Sequence, residues 1–276
     1  MVEAKDYNAQ AVIAARSVLL EVSHILGEYK NGIVIVGGWV PELLFSNASE
    51  RHVGSLDVDL ALDQKTIQEV GYRSIMSLLL ARGYQQGDQP FIFYRTVKID
   101  DQEFQVEVDF LTSEYGGTSK KHRTQVIQDM HPRKTRGCDL AFEMPVEITL
   151  NGTLPEGGLD HTPVRVVSIV PFIMMKAFAL GDRLKEKDAY DIYYCLKYYP
   201  PGLDHLIEEF RPLIKNRLVT EGLSILAEKF ASPLHVGPVY IADFEEISDL
   251  EDRAALQRDA YERMSYLLKG LEMENE

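Results

Sequence analysis

Apolar residues fall along the chain with two periods, and the change from one to the other divides it into a mixed first part and a helical second part. From about Tyr7 to Tyr29, Val12, Ala15, Val18, Leu19, Val22, Ile25 and Leu26 recur every three or four residues. That spacing predicts an amphipathic helix ending near Gly27 or in Lys30-Asn31-Gly32, its stripe laid on one face of a sheet. Ile33 to Val36 are all β-branched and run into Gly37 and Gly38, as in a buried strand that stops where backbone must approach something closely. Pro41 suits the first turn of a short helix. In Ser55-Leu56-Asp57-Val58-Asp59-Leu60 the period is two, so Ser55, Asp57 and Asp59 share one strand face. Asp63 then caps a helix predicted from about Gln64 to Arg82, with Val70, Ile75, Leu78 and Leu79 inward and Gly83 at its end. Pro90 to Ile99 and Glu103 to Leu111 read as strands joined by a tight turn at Asp100-Asp101.

Gly116 to Gly137 reads as a polar loop with a short helix, followed by β segments at Pro145 to Leu150 and Val164 to Ser168 around a turn region with Gly152, Pro155, Gly157 and Gly158. From Ser168 and Pro171 onward the pattern is helical: one long helix from about Pro171 into the tyrosines beyond Asp191, helices at about Leu203 to Ile214 and Leu218 to Phe230, a loop with Pro233, Gly237 and Pro238, and a last helix from Ser248 or Asp249 to about Leu271. The expectation is an α+β fold: a mixed β-sheet domain with flanking helices over 1–168, then a helical C-terminal domain over 169–276.

Composition narrows the partners. No run approaches the ~20 apolar residues of a membrane span, and MVEAKDYNAQ has no basic start before an apolar core, so a cytoplasmic protein without a membrane partner is expected. Cys138 and Cys195 lack a metal-type spacing and read as small core residues. A net charge of -14 disfavours general nucleic-acid binding. One 17-residue window departs from this: Lys120, Lys121, Arg123, Arg133, Lys134 and Arg136 stand against Asp129 alone, about +5. It is either a solvated basic loop or a phosphate-facing rim.

Asp57 and Asp59, side by side on one strand face, repel each other unless a proton or a cation lies between them. Oxygen ligands with few nearby histidines suit Mg²⁺ or Mn²⁺. An isolated Asp-x-Asp on a solvated strand edge is the bland alternative, and the preceding Gly-Gly weighs against it. On the later strand Gln105, Glu107 and Asp109 share a face, so Asp109, or Glu107 in its place, would bring a third carboxylate if the two strands are neighbours. On the long helix Lys176, Ala179, Arg183, Lys187 and Asp191 fall on one stripe, with Asp188 alongside. Lys176 lies among Phe172, Ile173, Met174, Met175 and Phe178, where a lysine calls for a facing anion such as a triphosphate. Arg183, Asp188 and Asp191 read equally well as a salt-bridge network fixing the helix.

Taken in order, Gly37-Gly38, Ser55-x-Asp57-x-Asp59, Asp109, Lys176-x-x-Ala179-x-x-x-Arg183 and Lys187-Asp188-x-x-Asp191 resemble the nucleotidyltransferase superfamily that includes DNA polymerase beta, and within it most closely the AbiEii-type nucleotidyltransferase toxins. The resemblance spans roughly residues 30 to 195. It implies a nucleotidyltransferase-type sheet domain whose cleft is completed by the helical domain. Gly37, Gly38 and Ser55 would approach the nucleotide phosphates, and Asp57, Asp59 and Asp109 would bind Mg²⁺ or Mn²⁺, Asp109 also assisting deprotonation of the acceptor. Lys176 would meet the β- or γ-phosphate, and Asp188 or Asp191 would lie at the rim, ordering the helix or contacting base or acceptor. Two features depart from the pattern: Trp39 follows the glycines, narrowing the pocket or offering a base a stacking surface, and 18 residues separate Gly38 from Asp57, with Asn47 to His52 read as a loop insertion.

The function so implied is transfer of a nucleotide from an NTP to an acceptor hydroxyl, an RNA or tRNA end or a protein, by the toxin of a toxin-antitoxin or phage-defence pair, with an antitoxin protein as partner. A small-molecule acceptor, as for aminoglycoside nucleotidyltransferases, and a catalytically retired scaffold acting through protein contacts are the alternatives.

Overall fold

The computed structural model describes residues 7–67, 73–114 and 124–272. In chain order the elements are α1 (Ala9–Ile25), β1 (Ile33–Val36), α2 (Val40–Leu44), β2 (Asp57–Leu62), α3 (Ile75–Ala81), β3 (Gln85–Gln86), β4 (Ile92–Ile99), β5 (Gln102–Ser113), β6 (Arg133–Thr135), β7 (Val146–Thr153), β8 (Leu159–Val166), α4 (Ile169–Arg183), α5 (Glu186–Tyr198), α6 (Leu203–Phe210), α7 (Arg217–Lys229), α8 (Val236–Phe244) and α9 (Leu250–Glu272). They form two units: a sheet unit of Tyr7–Val40 with Gly54–Ser168, and a helical unit in which Pro41–Val53 groups with Ile169–Glu276. The fold is α+β with one mixed sheet, as the two periods predict.

In the sheet unit the strand order is β3-β4-β5-β2-β1-β8-β7, with β6 on β5. β1 to β2, β4 to β5 and β7 to β8 are antiparallel; β2 to β5 and β1 to β8 are parallel. The stripe of α1 is buried through Ala14, Ala15, Val18, Leu19 and Val22. It lies on the sheet face that carries Val58, Leu60, Val106, Val108 and Phe110, and the Glu21–Arg95 ion pair at 3.0 Å ties it there. Burying each such Val or Leu contributes about 1.5–3 kcal/mol. A 3₁₀ turn, Cys138–Phe142, packs against β1 and β5 and buries Cys138, Leu140 and Ala141. Cys138 and Cys195 are free and fully buried. The turn between β4 and β5 has left-handed backbone at Asp100 and Asp101, which suits a two-residue hairpin.

Several elements differ from the expected ones, among them β6, a strand on β5 at the end of the stretch expected to be a polar loop with a short helix. The helix predicted from Gln64 to Arg82 is instead a turn at 64–66, where Asp63 accepts from Lys65 N and Thr66 Oγ1, and a shorter α3 capped by Ser74; Val70 lies outside the described residues. In the helical unit the long helix after Pro171 breaks into α4 and α5 at Leu184, which takes a left-handed φ of 48° before Lys185 restarts the chain as an N-cap. No glycine or proline marks that break. The Gly237-Pro238 stretch read as loop belongs to α8, because a proline in the first helical turn forfeits no hydrogen bond. Among the described residues no helix is long and apolar enough to cross a membrane.

Candidate active site

The sheet unit gathers the first group of acids. β2 and β5 are parallel neighbours in a register that pairs Asp57 with Glu107 and Asp59 with Asp109. Cα partners in a ladder share a face, so four carboxylates stand on the side away from α1. The exposure of the set falls along the strands: Asp57 is exposed, Asp59 and Glu107 are half-buried, and Asp109 is buried.

The glycine pair approaches this strand. Gly37 has a φ of 72°, and a Cβ there would lie 1.9 Å from Asp59 Oδ2. A Cβ on Gly38 would come within 2.5 Å of Ser55 Oγ. Both positions therefore require glycine, and the close approach expected from the sequence is first of all to the Ser55-x-Asp57-x-Asp59 strand itself. Ser55 Oγ donates to Asp57 Oδ1, and Trp39 Nε1 donates to the Asp57 carbonyl at 2.8 Å. Trp39 is fully buried, so it is a brace for β2 and offers no stacking surface to a base.

Asp109 is the perturbed member. Burial pushes its carboxyl up, the Arg133 guanidinium opposes that, and Glu107 and Asp57 add to the rise, leaving it at about 7. Arg133 Nη2 lies 2.6 Å from Asp109 Oδ2, while Asp109 Oδ1 is buried without a hydrogen-bond partner among the described residues. Tyr94 OH donates to Glu107 at 3.3 Å. Among the described residues no group of three or more His, Cys, Asp or Glu side chains closes round a point as a metal cage. The donors are nonetheless all carboxylate oxygens, two of them adjacent on one strand and one with a bare buried oxygen, which fits a hard divalent cation better than zinc.

The basic window resolves only in part. Arg133 serves Asp109, Arg136 pairs with Glu114 at 3.1 Å, and Lys134 is half-buried on β6; Lys120, Lys121 and Arg123 lie outside the described residues. Arg133 was legible only as one of that window's basic residues, with no sign of its partner.

The helical unit holds a second, closed group. Lys176 Nζ lies 3.0 Å from Asp188 Oδ1 and 2.7 Å from Asp191 Oδ2. Lys187 pairs with Asp191, and Arg183 grips Asp188 through Nε and Nη2, both at 2.8 Å. Asp188 and Asp191 are fully buried, so neither lies at a rim. Nor do these residues run up one stripe: on a continuous helix fifteen positions would span about 22 Å, and the fold-back at Leu184 brings Lys176 and Asp191 together instead. Burial works against both charges, but Asp191 and Asp188 hold Lys176 protonated well above the usual lysine range, and Lys176 with Lys187 holds Asp191 ionised well below the usual carboxylate range. The anion that Lys176 requires is supplied from within this unit.

His52, read as part of a loop insertion, joins the same group. It is buried, its Nε2 lies 2.9 Å from Asp191 Oδ1, and Tyr190 and Tyr194 flank its ring at 5.4 and 4.8 Å. Burial, then the Lys187 charge, lowers its pKa to about 4, so the ring is neutral at pH 7. A lone histidine in a polar stretch gave no signal of this.

The model of one protein family, Nucleotidyl transferase AbiEii toxin, Type IV TA system, matches residues 50–273. The chain belongs to the AbiEii family. No curated protein matches it, and no solved structure does. The AbiEii match takes in Asp57, Asp59, Asp109 and the whole Lys176-to-Asp191 series, and it begins beyond Gly37-Gly38, whose place beside Asp59 rests on geometry. The family's description names a nucleotidyl transferase and a toxin-antitoxin system, which sets this AbiEii chain in a toxin-antitoxin context.

Proposed function

We propose that the chain is the nucleotidyltransferase toxin of a toxin-antitoxin pair, acting in the cytoplasm on an NTP and an acceptor hydroxyl of RNA, a tRNA end or a protein. The observation that carries this reading is the parallel register of β2 and β5, which places Asp59 beside Asp109 and Asp57 beside Glu107 on one sheet face, with Gly37 backbone against Asp59. Asp57, Asp59 and Asp109 would hold Mg²⁺ or Mn²⁺, with Glu107 next in line. A cation there supplies charge neutralisation to the reacting phosphates. The acceptor hydroxyl gives up its proton with the assistance of Asp109, its oxygen forms a bond to the α-phosphorus as the bridging bond to the β-phosphate breaks, and pyrophosphate leaves with that electron pair. Gly37 and Gly38, with Ser55, line the approach of the phosphates to the acids. Lys176, Asp188 and Asp191, to which the resemblance gives nucleotide contacts, pair with one another inside the helical unit, and the proposal rests on the sheet acids.

The test is incubation of the purified protein with each labelled NTP, Mg²⁺ and total tRNA or lysate. Label should enter an acceptor, and Asp57→Ala/Asp59→Ala should abolish it; equal labelling by that variant refutes the proposal. Label in a small cationic compound rather than in RNA or protein would assign the small-molecule acceptor instead.

A further inference from the structure

We propose that Arg133 is a positioning residue of this site: it holds Asp109 by one carboxylate oxygen and so presents the other to the divalent cation. The inference rests on the cation-dependent reading of the sheet acids given above. Arg133 opens β6, where it pairs with Leu111 of β5 on one side and bridges to Thr124 on the other, so its backbone is fixed on both flanks. Leu111 and Asp109 share a strand face, which directs the Arg133 side chain along that face toward the acids. Its guanidinium lies over the Phe91 ring at 5.6 Å, and Phe91 is buried. The guanidinium is thus a planar group set on an aromatic floor, with its Nη2 2.6 Å from Asp109 Oδ2.

The pairing is half of what the two groups can make. Arginine and carboxylate commonly join through two parallel bonds. Here one nitrogen meets one oxygen, while Asp109 Oδ1 and Arg133 Nε are buried with no hydrogen-bond partner among the described residues. An unpaired buried oxygen is unfavourable, so a geometry that leaves Oδ1 without a partner among the described residues calls for a ligand at that atom. Partners that orient a ligating carboxylate are worth about 10–100-fold in metal affinity. Arg133 meets that description, because the orientation of Asp109 is set by the atom it holds.

Mn²⁺ binding to the full chain, followed by calorimetry or by electron paramagnetic resonance, tests this without reference to activity. Arg133→Met should weaken Mn²⁺ binding by about 10–100-fold, and Arg133→Lys, which restores a cation without the fork, should recover part of it. Unchanged or tighter binding by Arg133→Met overturns the inference, tighter binding meaning that the guanidinium competes with the cation. If Arg133→Met does not fold, as judged by circular dichroism, Arg133→Lys decides alone: weakened binding supports the inference and equal or tighter binding overturns it. Asp57→Ala/Asp59→Ala separates the two levels of argument. If it loses Mn²⁺ while Arg133→Met keeps it, only the role of Arg133 falls. If it binds Mn²⁺ like the unaltered protein, or the unaltered protein binds none, the cation site falls and Arg133 with it.

Discussion

The chain carries two clusters of aspartates with nearby cations, and they are built to opposite ends. On the sheet face, four carboxylates from β2 and β5 stand together, Arg133 pairs with the buried Asp109, and the outermost acid is exposed. In the helical unit, Asp188 and Asp191 are fully buried and meet Lys176, Lys187 and Arg183, with His52 neutral beside them. The first gathers acids on a face whose outer member is exposed; the second pairs two buried carboxylates with three cations. Like charges gathered where a ligand can reach them spend stability on binding, whereas a buried ion-paired network holds helices in register. Residue type alone does not distinguish them. Burial and the pairing of each buried acid do.

Substitutions can break this contrast. The largest effect belongs to Asp57→Ala/Asp59→Ala: nucleotide transfer should fall on the order of 10³-fold or more while urea unfolding shifts by less than about 2 kcal/mol, since Asp57 is exposed and Asp59 half-buried. A collapse of stability in that variant would make the sheet acids structural. Asp191→Ala should do the reverse, leaving Lys176 and Lys187 buried without their shared partner and costing about 3–5 kcal/mol in urea unfolding. A stable Asp191→Ala protein that has lost only activity would move the helical cluster into the site.

Acid titration sharpens the contrast. His52 has a folded pKa of about 4 against an ordinary 6.5, so the unfolded chain takes up its proton first. Its contribution is fully present above pH 6.5 and is lost as pH falls through that window toward 4. At about 1.4 kcal/mol per pKa unit the loss is about 3 kcal/mol, and the corresponding slope in unfolding free energy should vanish in His52→Gln. The smallest effect is at Gly37→Ala, where the left-handed backbone and the clash with Asp59 should cost about 1–3 kcal/mol. Because the added Cβ displaces Asp59, Mn²⁺ affinity should drop as well; a variant that melts lower yet binds Mn²⁺ normally would separate the glycine from the site.

Much of this was written in local pattern. The two-residue period of Ser55 to Leu60 fixes which side chains share a face, and the β-branched run before Gly37-Gly38 fixes a strand that must end at a close approach. Chain order alone was enough to raise the family resemblance that the match over residues 50–273 bears out. These features are legible because side-chain direction follows from backbone period within a few residues. The tertiary structure decided the rest. That β5 lies parallel to β2, with Asp109 level with Asp59, depends on a sheet order that no strand's own sequence states. The break at Leu184 carries no glycine or proline, so periodicity continued through it and put Lys176 far from Asp191, whereas packing of α5 back on α4 brings them into an ion pair. Arg133 and His52 are the sharpest cases. Arg133 reads as part of a basic loop or phosphate-facing rim and His52 as part of a loop insertion, because the carboxylate that gives each its meaning lies 24 positions away for Arg133 and 139 for His52. Ion pairing depends on distance in space, and only the fold sets that distance.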